Sequence, residues 1–167
     1  MADDTILNQQ AGEVRLLLKM GLIAPEDVIA WADDWISVRD CLPGWVYDVS
    51  LAQAADPYQI SQLLALAGNE INSKAAAIGA FQSFVSAYRH GDIETLPAAT
   101  MLSLWASHPS LDDSERNKAM LPIWYAEEIE GGYMTIADVR EQVEQSINNS
   151  FTALYSLQGG VHPAPNA

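Results

Sequence analysis

The chain has 167 residues, 49% of them apolar and 18% charged, enough to bury roughly 70% of the extended chain's surface and to exclude wholesale disorder. Twenty-two acidic against eight basic side chains leave a formal charge of −14. That argues against a nucleic-acid binder, which needs cations to replace phosphate counterions, and against docking on an anionic membrane. One cysteine, Cys41, excludes an internal disulfide framework and a thiolate zinc site.

The opening Met1-Ala2-Asp3-Asp4 is acidic where a secretion signal is basic. The longest apolar stretch, residues 75–88, is interrupted by Gly79, Gln82, Ser83 and Ser86, too short and too polar for a membrane span. A cytoplasmic protein is expected. Helical spacing then dominates. Ile6, Val14, Leu16, Leu17 and Leu18 form a first amphipathic stripe that ends at Gly21. A second helix starts at Pro25, with Glu26 and Asp27 in its first turn, and buries Val28, Ala32, Trp35 and Ile36 until Pro43-Gly44 breaks it. Residues 45–51 fit a short helix and an extended piece equally. Asp56-Pro57 opens a third helix carrying Ile60, Leu63, Leu64 and Ala67 to Gly68, and Asn72 or Ser73 caps a fourth that stops at Gly91. Being apolar or small on most sides, this fourth helix is expected at the centre.

A fifth helix begins near Pro97 with Met101, Leu102 and Trp105, and ends before His108-Pro109. Ser110 with Asp113 predicts a capping-box start for a sixth, which must bend or restart at Pro122. Thr135 with Asp138 predicts another box and the longest helix, through Ile136, Val139, Val143, Ile147, Phe151 and Leu154 to about Leu157. The reading is therefore all-α: a single-domain bundle of six to seven helices over residues 1–158, with the helix at 73–90 central and a loose tail at 159–167. Residues 21–28 and 132–139 echo each other as Gly, two apolar residues, three variable positions, Asp, Val. Two uses of one helix–turn–helix solution account for this, and a two-fold repeat is the alternative.

No constellation of catalytic residues is present. His90, His108 and His162 do not stand a helical turn from one another or from a suitable carboxylate, and no calcium loop, phosphate-cradling glycine run or nucleophile elbow occurs. No catalytic residue, metal ligand or cofactor is nominated. Cys41, with Arg39 as its one basic neighbour, reads as a packed or idle thiol rather than a nucleophile. Trp31, Trp35 and Trp105 lie in helical stripes and read as core, whereas Trp45, after Pro43-Gly44, reads as a helix-end cap. Trp124, beside Tyr125 and ahead of Glu127, Glu128 and Glu130, reads as an exposed aromatic in an acidic setting, a type enriched at interfaces.

The charge is uneven: residues 1–70 hold eleven acids against three bases, residues 71–91 none against two, and residues 92–167 eleven against three. On the second helix Glu26, Asp33, Ser37 and Asp40 project to one side, with Asp27 and Asp34 beside them and Arg39 as the local counter-charge. Carboxylates clustered without basic partners repel one another, and solubility alone needs less than −14. A cationic partner relieves that repulsion and is steered in quickly.

Between Val14 and Ala52, the runs Arg15-Leu16-Leu17-Leu18, Gly21-Leu22-Ile23, Glu26-Asp27-Val28-Ile29-Ala30-Trp31-Ala32-Asp33, Pro43-Gly44-Trp45 and Asp48-Val49-Ser50-Leu51-Ala52 resemble small acidic helical proteins encoded beside bacterial secreted toxins, of the immunity-protein type. The resemblance implies a cytoplasmic protein that neutralises a cognate toxin by tight binding, without implying a toxin class. The expectation is thus a non-enzymatic inhibitor that occludes a basic site, with Asp33, Asp34 and Asp40 on one face, and Glu127, Glu128, Glu130 and the aromatic Trp124 on another, as contact residues. The alternative is a helical structural or adaptor module, possibly homodimeric, whose acids maintain solubility. An enzyme using dispersed carboxylates on a divalent metal is a third, lesser reading.

Overall fold

Every regular element among the described residues is helical. The computed structural model describes residues 2–156, with side chains described for residues 4–150; the expected tail, and the inward side chains expected of Phe151 and Leu154, lie outside them. The α-helices are α1 (Ala2–Met20), α2 (Pro25–Val38), α3 (Gly44–Ser50), α4 (Pro57–Ala65), α5 (Lys74–His90), α6 (Thr95–Ala106), α7 (Asp113–Glu127) and α8 (Ile136–Ser156), with a 3-10 turn at Asn69–Asn72 before α5. Eight helices replace the six to seven expected. The additional one is α3, whose seven residues are too few for periodicity to declare; Trp45, Val46 and Val49 are its buried side.

The helices group into two compact units, one comprising residues up to 84 with 108–110, the other residues 85–107 and those from 111 onward. In the first, α1 packs against α2, α4 and the 3-10 turn, while α3 packs against both α2 and α4. Leu7, Ala11, Val28, Val46, Ile60 and Leu64 are fully buried there. Each large member contributes roughly 1.5–3 kcal/mol of transfer free energy. The α1 stripe passes through Leu7 rather than the expected Ile6, which is half exposed: Leu7, Ala11 and Leu18 recur at i, i+4 and i+11, and Ile6 falls one step off that line. In the second unit α6, α7 and α8 pack on one another around Leu102, Trp105, Ala119, Val139, Val143 and Ile147. Ser146 ties α8 to α7 by donating its hydroxyl to the Lys118 carbonyl at 2.7 Å.

Caps explain most boundaries. Asp56 accepts from the Gln59 amide at 2.9 Å, Ser73 from the Ala76 amide at 3.2 Å, and Thr135 and Asp138 form the expected reciprocal box, the Asp138 carboxylate accepting at 2.7 Å from the Thr135 amide. The start of α7 differs from expectation. Asp112 and Glu115, not Ser110 and Asp113, make its box, with amide-to-carboxylate distances of 2.8 and 2.9 Å. Ser110 is engaged instead by the His108 ring at 2.9 Å, which removes it from the competition for the cap. The α7 helix also runs through Pro122 without a restart.

Three junctions share one backbone solution. At Gly21, Gly91 and Gly132, with φ of 76°, 84° and 73°, the glycine amide donates to the carbonyl three residues back, and the following amide donates to the carbonyl five back: Leu22 to Leu17, Asp92 to Ala87, Tyr133 to Glu128. Two residues beyond each glycine stands a half-buried apolar side chain, Ile23, Ile93 or Met134. The echo at 21–28 and 132–139 is therefore part of a threefold local pattern, and its Gly91 member lacks the side-chain signature of the other two.

In α1 a methyl group on Gly12 would lie 2.5 Å from the Ile71 carbonyl oxygen and 2.7 Å from its Cα, both backbone atoms that cannot rotate away. Gly12→Ala is expected to cost about 1–3 kcal/mol and to lower Tm by roughly 2–4 °C per kcal/mol. An unchanged melting curve would show that α1 and the 3-10 turn do not meet there.

Candidate partner-binding surface

In the first unit no described ion pair joins a cation to an acid of α2 or α3. Arg15, Lys19 and Lys74 all lie close enough to His108 to depress its basicity. Burial is the larger cause of that downward shift, partly offset by a hydrogen bond with the Ile71 backbone. Arg15 also donates through Nε to the Ser61 carbonyl at 3.0 Å. The unit's other arginine, Arg39, reaches back to Asp4 on α1, with Nη2 3.1 Å from Oδ1.

Six carboxylates on and around those helices, Glu26, Asp27, Asp33, Asp34, Asp40 and Asp48, are exposed. Their described hydrogen bonds are local. Asp27 accepts from the Ala24 amide at 2.9 Å, and Asp33 accepts from the Ser50 hydroxyl, joining α2 to α3. Asp40 departs from the sequence reading, which carried it on the helix in register with Asp33. The α2 helix ends at Val38, and Arg39 is extended, with φ −144° and ψ 125°. The Arg39–Asp4 ion pair engages that extended segment, so Asp40 sits on a bend beyond the helix rather than on its face. Cys41, one residue further, is exposed with a free thiol.

Trp31 and Trp35 occur one turn apart on α2, and both pack against the first unit's core as expected while staying half-buried. The Trp31 ring stacks on Trp45 of α3, with centroids 6.3 Å apart and planes 19° from parallel. Trp45 is thereby a buried α3 packing residue, not the helix-end cap expected. Beside the pair lies a shallow hollow of about 220 Å³ lined by Gln10, Trp31, Asp34, Trp35 and Val38. Trp105, by contrast, is fully buried in the second unit.

The second acidic group is also at the surface. Glu127 ends α7, Glu128 and Glu130 follow it, and all three are exposed; among the described residues none has an ion pair. Trp124, one turn before Glu128, is 45% exposed. The structure brings Asp33 and Asp34 together on one helix, and Trp124 with the three glutamates at the end of another. Each nominated group is local in sequence.

The second unit also holds a cleft that no sequence pattern disclosed. It measures about 640 Å³, and Tyr88, Arg89, Thr95, Leu96, Arg140 and Glu144 are among its walls. Arg140 donates through Nε to the Thr95 hydroxyl at 3.4 Å. The Tyr88 phenol is pushed up by burial and by Glu144, against opposing contributions from Thr95 and Arg140. Ile136, expected on the inner side of α8, instead lies half exposed on this wall, because the helix's first residue projects past its packed face. Among the described residues no group of three or more His, Cys, Asp or Glu side chains is placed to hold a metal ion, and no helix is long and apolar enough to cross a membrane.

Comparison with known proteins leaves the surface to be read on its own chemistry: no protein-family model, no curated protein and no solved structure matches the chain.

One acid in the first unit is perturbed by burial. Glu13 of α1 lies against Gly79 of α5, where an added Cβ would meet its carboxylate. Burial raises its pKa, and a 3.5 Å hydrogen bond from Ser83 only partly opposes the rise. A raised acid pKa means that ionised Glu13 destabilises the fold at neutral pH. The penalty fades as pH falls through the folded-state pKa and is absent below the unfolded one. Glu13→Gln is expected to melt above the unaltered protein at pH 7, with the difference shrinking towards pH 4. A difference that stays constant with pH would show that the carboxylate is not desolvated.

Proposed function

We propose that this protein is a non-enzymatic binding protein whose acidic surface docks on a basic protein, and that this partner is a bacterial toxin domain whose basic surface or active site it occludes. The observation that carries the reading is the charge separation within the first unit. Six exposed carboxylates of the α2–α3 region lack a described cation; Arg39 is engaged by Asp4, and Arg15 donates to the Ser61 carbonyl. Such an arrangement leaves self-repulsion in the free protein that a positively charged surface relieves on docking, and it steers the encounter at long range. The immunity-type resemblance of residues 14–52 supplies the kind of partner. Asp33 and Asp34 are assigned to the contact, with Asp40 at its margin; Glu127, Glu128, Glu130 and Trp124 form the second candidate face.

A partner isolated from the native host with the unaltered chain as bait should be basic and bind one to one. With that partner, replacing Asp33 and Asp34 by lysine should slow association at low salt by at least about tenfold and flatten its dependence on ionic strength. Equal on-rates of the unaltered protein at low and high salt would remove electrostatic docking. Self-association with no other partner would replace the reading with that of a homodimeric helical module.

A further inference from the structure

The hollow beside the α2 tryptophans has a composition that acidity alone does not explain. Trp31, Asp34, Trp35 and Val38 recur at i, i+3, i+4 and i+7, a spacing that places all four on one side of the helix. Val38 is 76% exposed, and α1 contributes Gln10 to the wall. Asp34 is exposed, and its carboxylate has no described partner; the Ser37 hydroxyl donates to its backbone carbonyl, not to its side chain. The hollow itself is lined mainly by apolar surface, with Asp34 exposed at its rim, so an occupant suited to both carries an apolar stem and a positive end. A cation on an apolar stem matches every wall: methylenes against Val38 and Trp35, positive charge over an indole face and beside Asp34.

We propose that this hollow receives one arginine side chain of the basic partner, its guanidinium laid on the Trp31–Trp35 surface and paired with Asp34. This rests on the binding-protein reading above and adds the anchor by which the partner is held. Arginine is preferred to lysine because its planar, weakly hydrated head stacks on aromatic rings and pairs with a carboxylate in fixed geometry. The volume of about 220 Å³ is enough for one long side chain. The receiving surface is held in advance, since Trp31 is stacked on Trp45, so binding orders few rotamers.

The full-length protein, titrated with a capped tripeptide carrying a single arginine and followed by the NMR signals of the tryptophan indole N–H groups, should show shifts concentrated at Trp31 and Trp35. The citrulline peptide, of nearly the same shape without the charge, and the norleucine peptide should bind at least about tenfold more weakly. Asp34→Asn and Trp35→Ala should each weaken the arginine peptide by roughly tenfold, while Trp35→Phe keeps most of the binding. Asp34→Asn changes an exposed side chain and serves as the folded control if Trp35→Ala melts early. Equal binding of the norleucine or citrulline peptide, shifts away from α2, or indole shifts that depend on protein concentration alone would each overturn the arginine site, the last in favour of a second copy. A basic partner captured equally well by Asp34→Asn and Trp35→Ala overturns the anchor and keeps the binding-protein reading. An arginine-selective hollow in a chain that captures no basic protein does the reverse.

Discussion

A chain that leaves one helix and enters another after four to eight residues must satisfy the last carbonyls of the first and the first amides of the second. Gly21, Gly91 and Gly132 meet the first demand by entering the left-handed region, where a side chain would be strained. The second is met by whatever follows, Asp27 at one junction and Asp138 at another. The apolar residue between stop and start, Ile23, Ile93 or Met134, is half-buried, and Ile23 packs against the first unit's core. The first of these turns joins α1 to α2, which pack on each other within the first unit.

Once α1 and α2 are joined at Gly21, Arg39 at the far end of α2 reaches Asp4 near the start of α1. The ion pair crosses 35 positions in sequence and withdraws from α2 the one cation its neighbourhood offers. Arg15, Lys19 and Lys74 are placed near His108 by α1 and the start of α5. Carboxylates evenly interspersed with cations would present no field beyond a few ångströms, whereas separated ones act over about a Debye length, roughly 8 Å at physiological salt. The acidic surface is thus a consequence of where the cations go as much as of how many acids the chain has.

What was legible in the sequence was what is local. The Asp56 and Thr135–Asp138 caps depend on residues three apart, and the glycine stops on single positions, so the all-helical class and most helix starts followed directly. Failures occurred where a distant or competing contact decides. Ser110 is engaged by His108, and α7 is capped by Asp112 instead; α2 ends at Val38, with Arg39 extended and paired to Asp4, which leaves Asp40 beyond the helix; α3 is too short to show a period until its buried side chains are seen. The candidate acids could be named from spacing, but the hollow among them could not. It needs Gln10 from α1 and a Trp31 ring steadied by Trp45. The cleft near Tyr88 likewise joins residues some fifty positions apart.

The stack of Trp31 on Trp45 has a consequence for motion. A seven-residue helix such as α3 is marginal on its own and persists through its packing, so local opening there is expected to be among the less costly excursions of the first unit. Each time α3 frays, the indole that backs the α2 surface is lost, and the surface is briefly incompetent. If the α2 surface binds as proposed, its apparent affinity would scale with the fraction of time the short helix stays formed, and a core substitution at Val46 or Val49 would weaken it through packing rather than through contact.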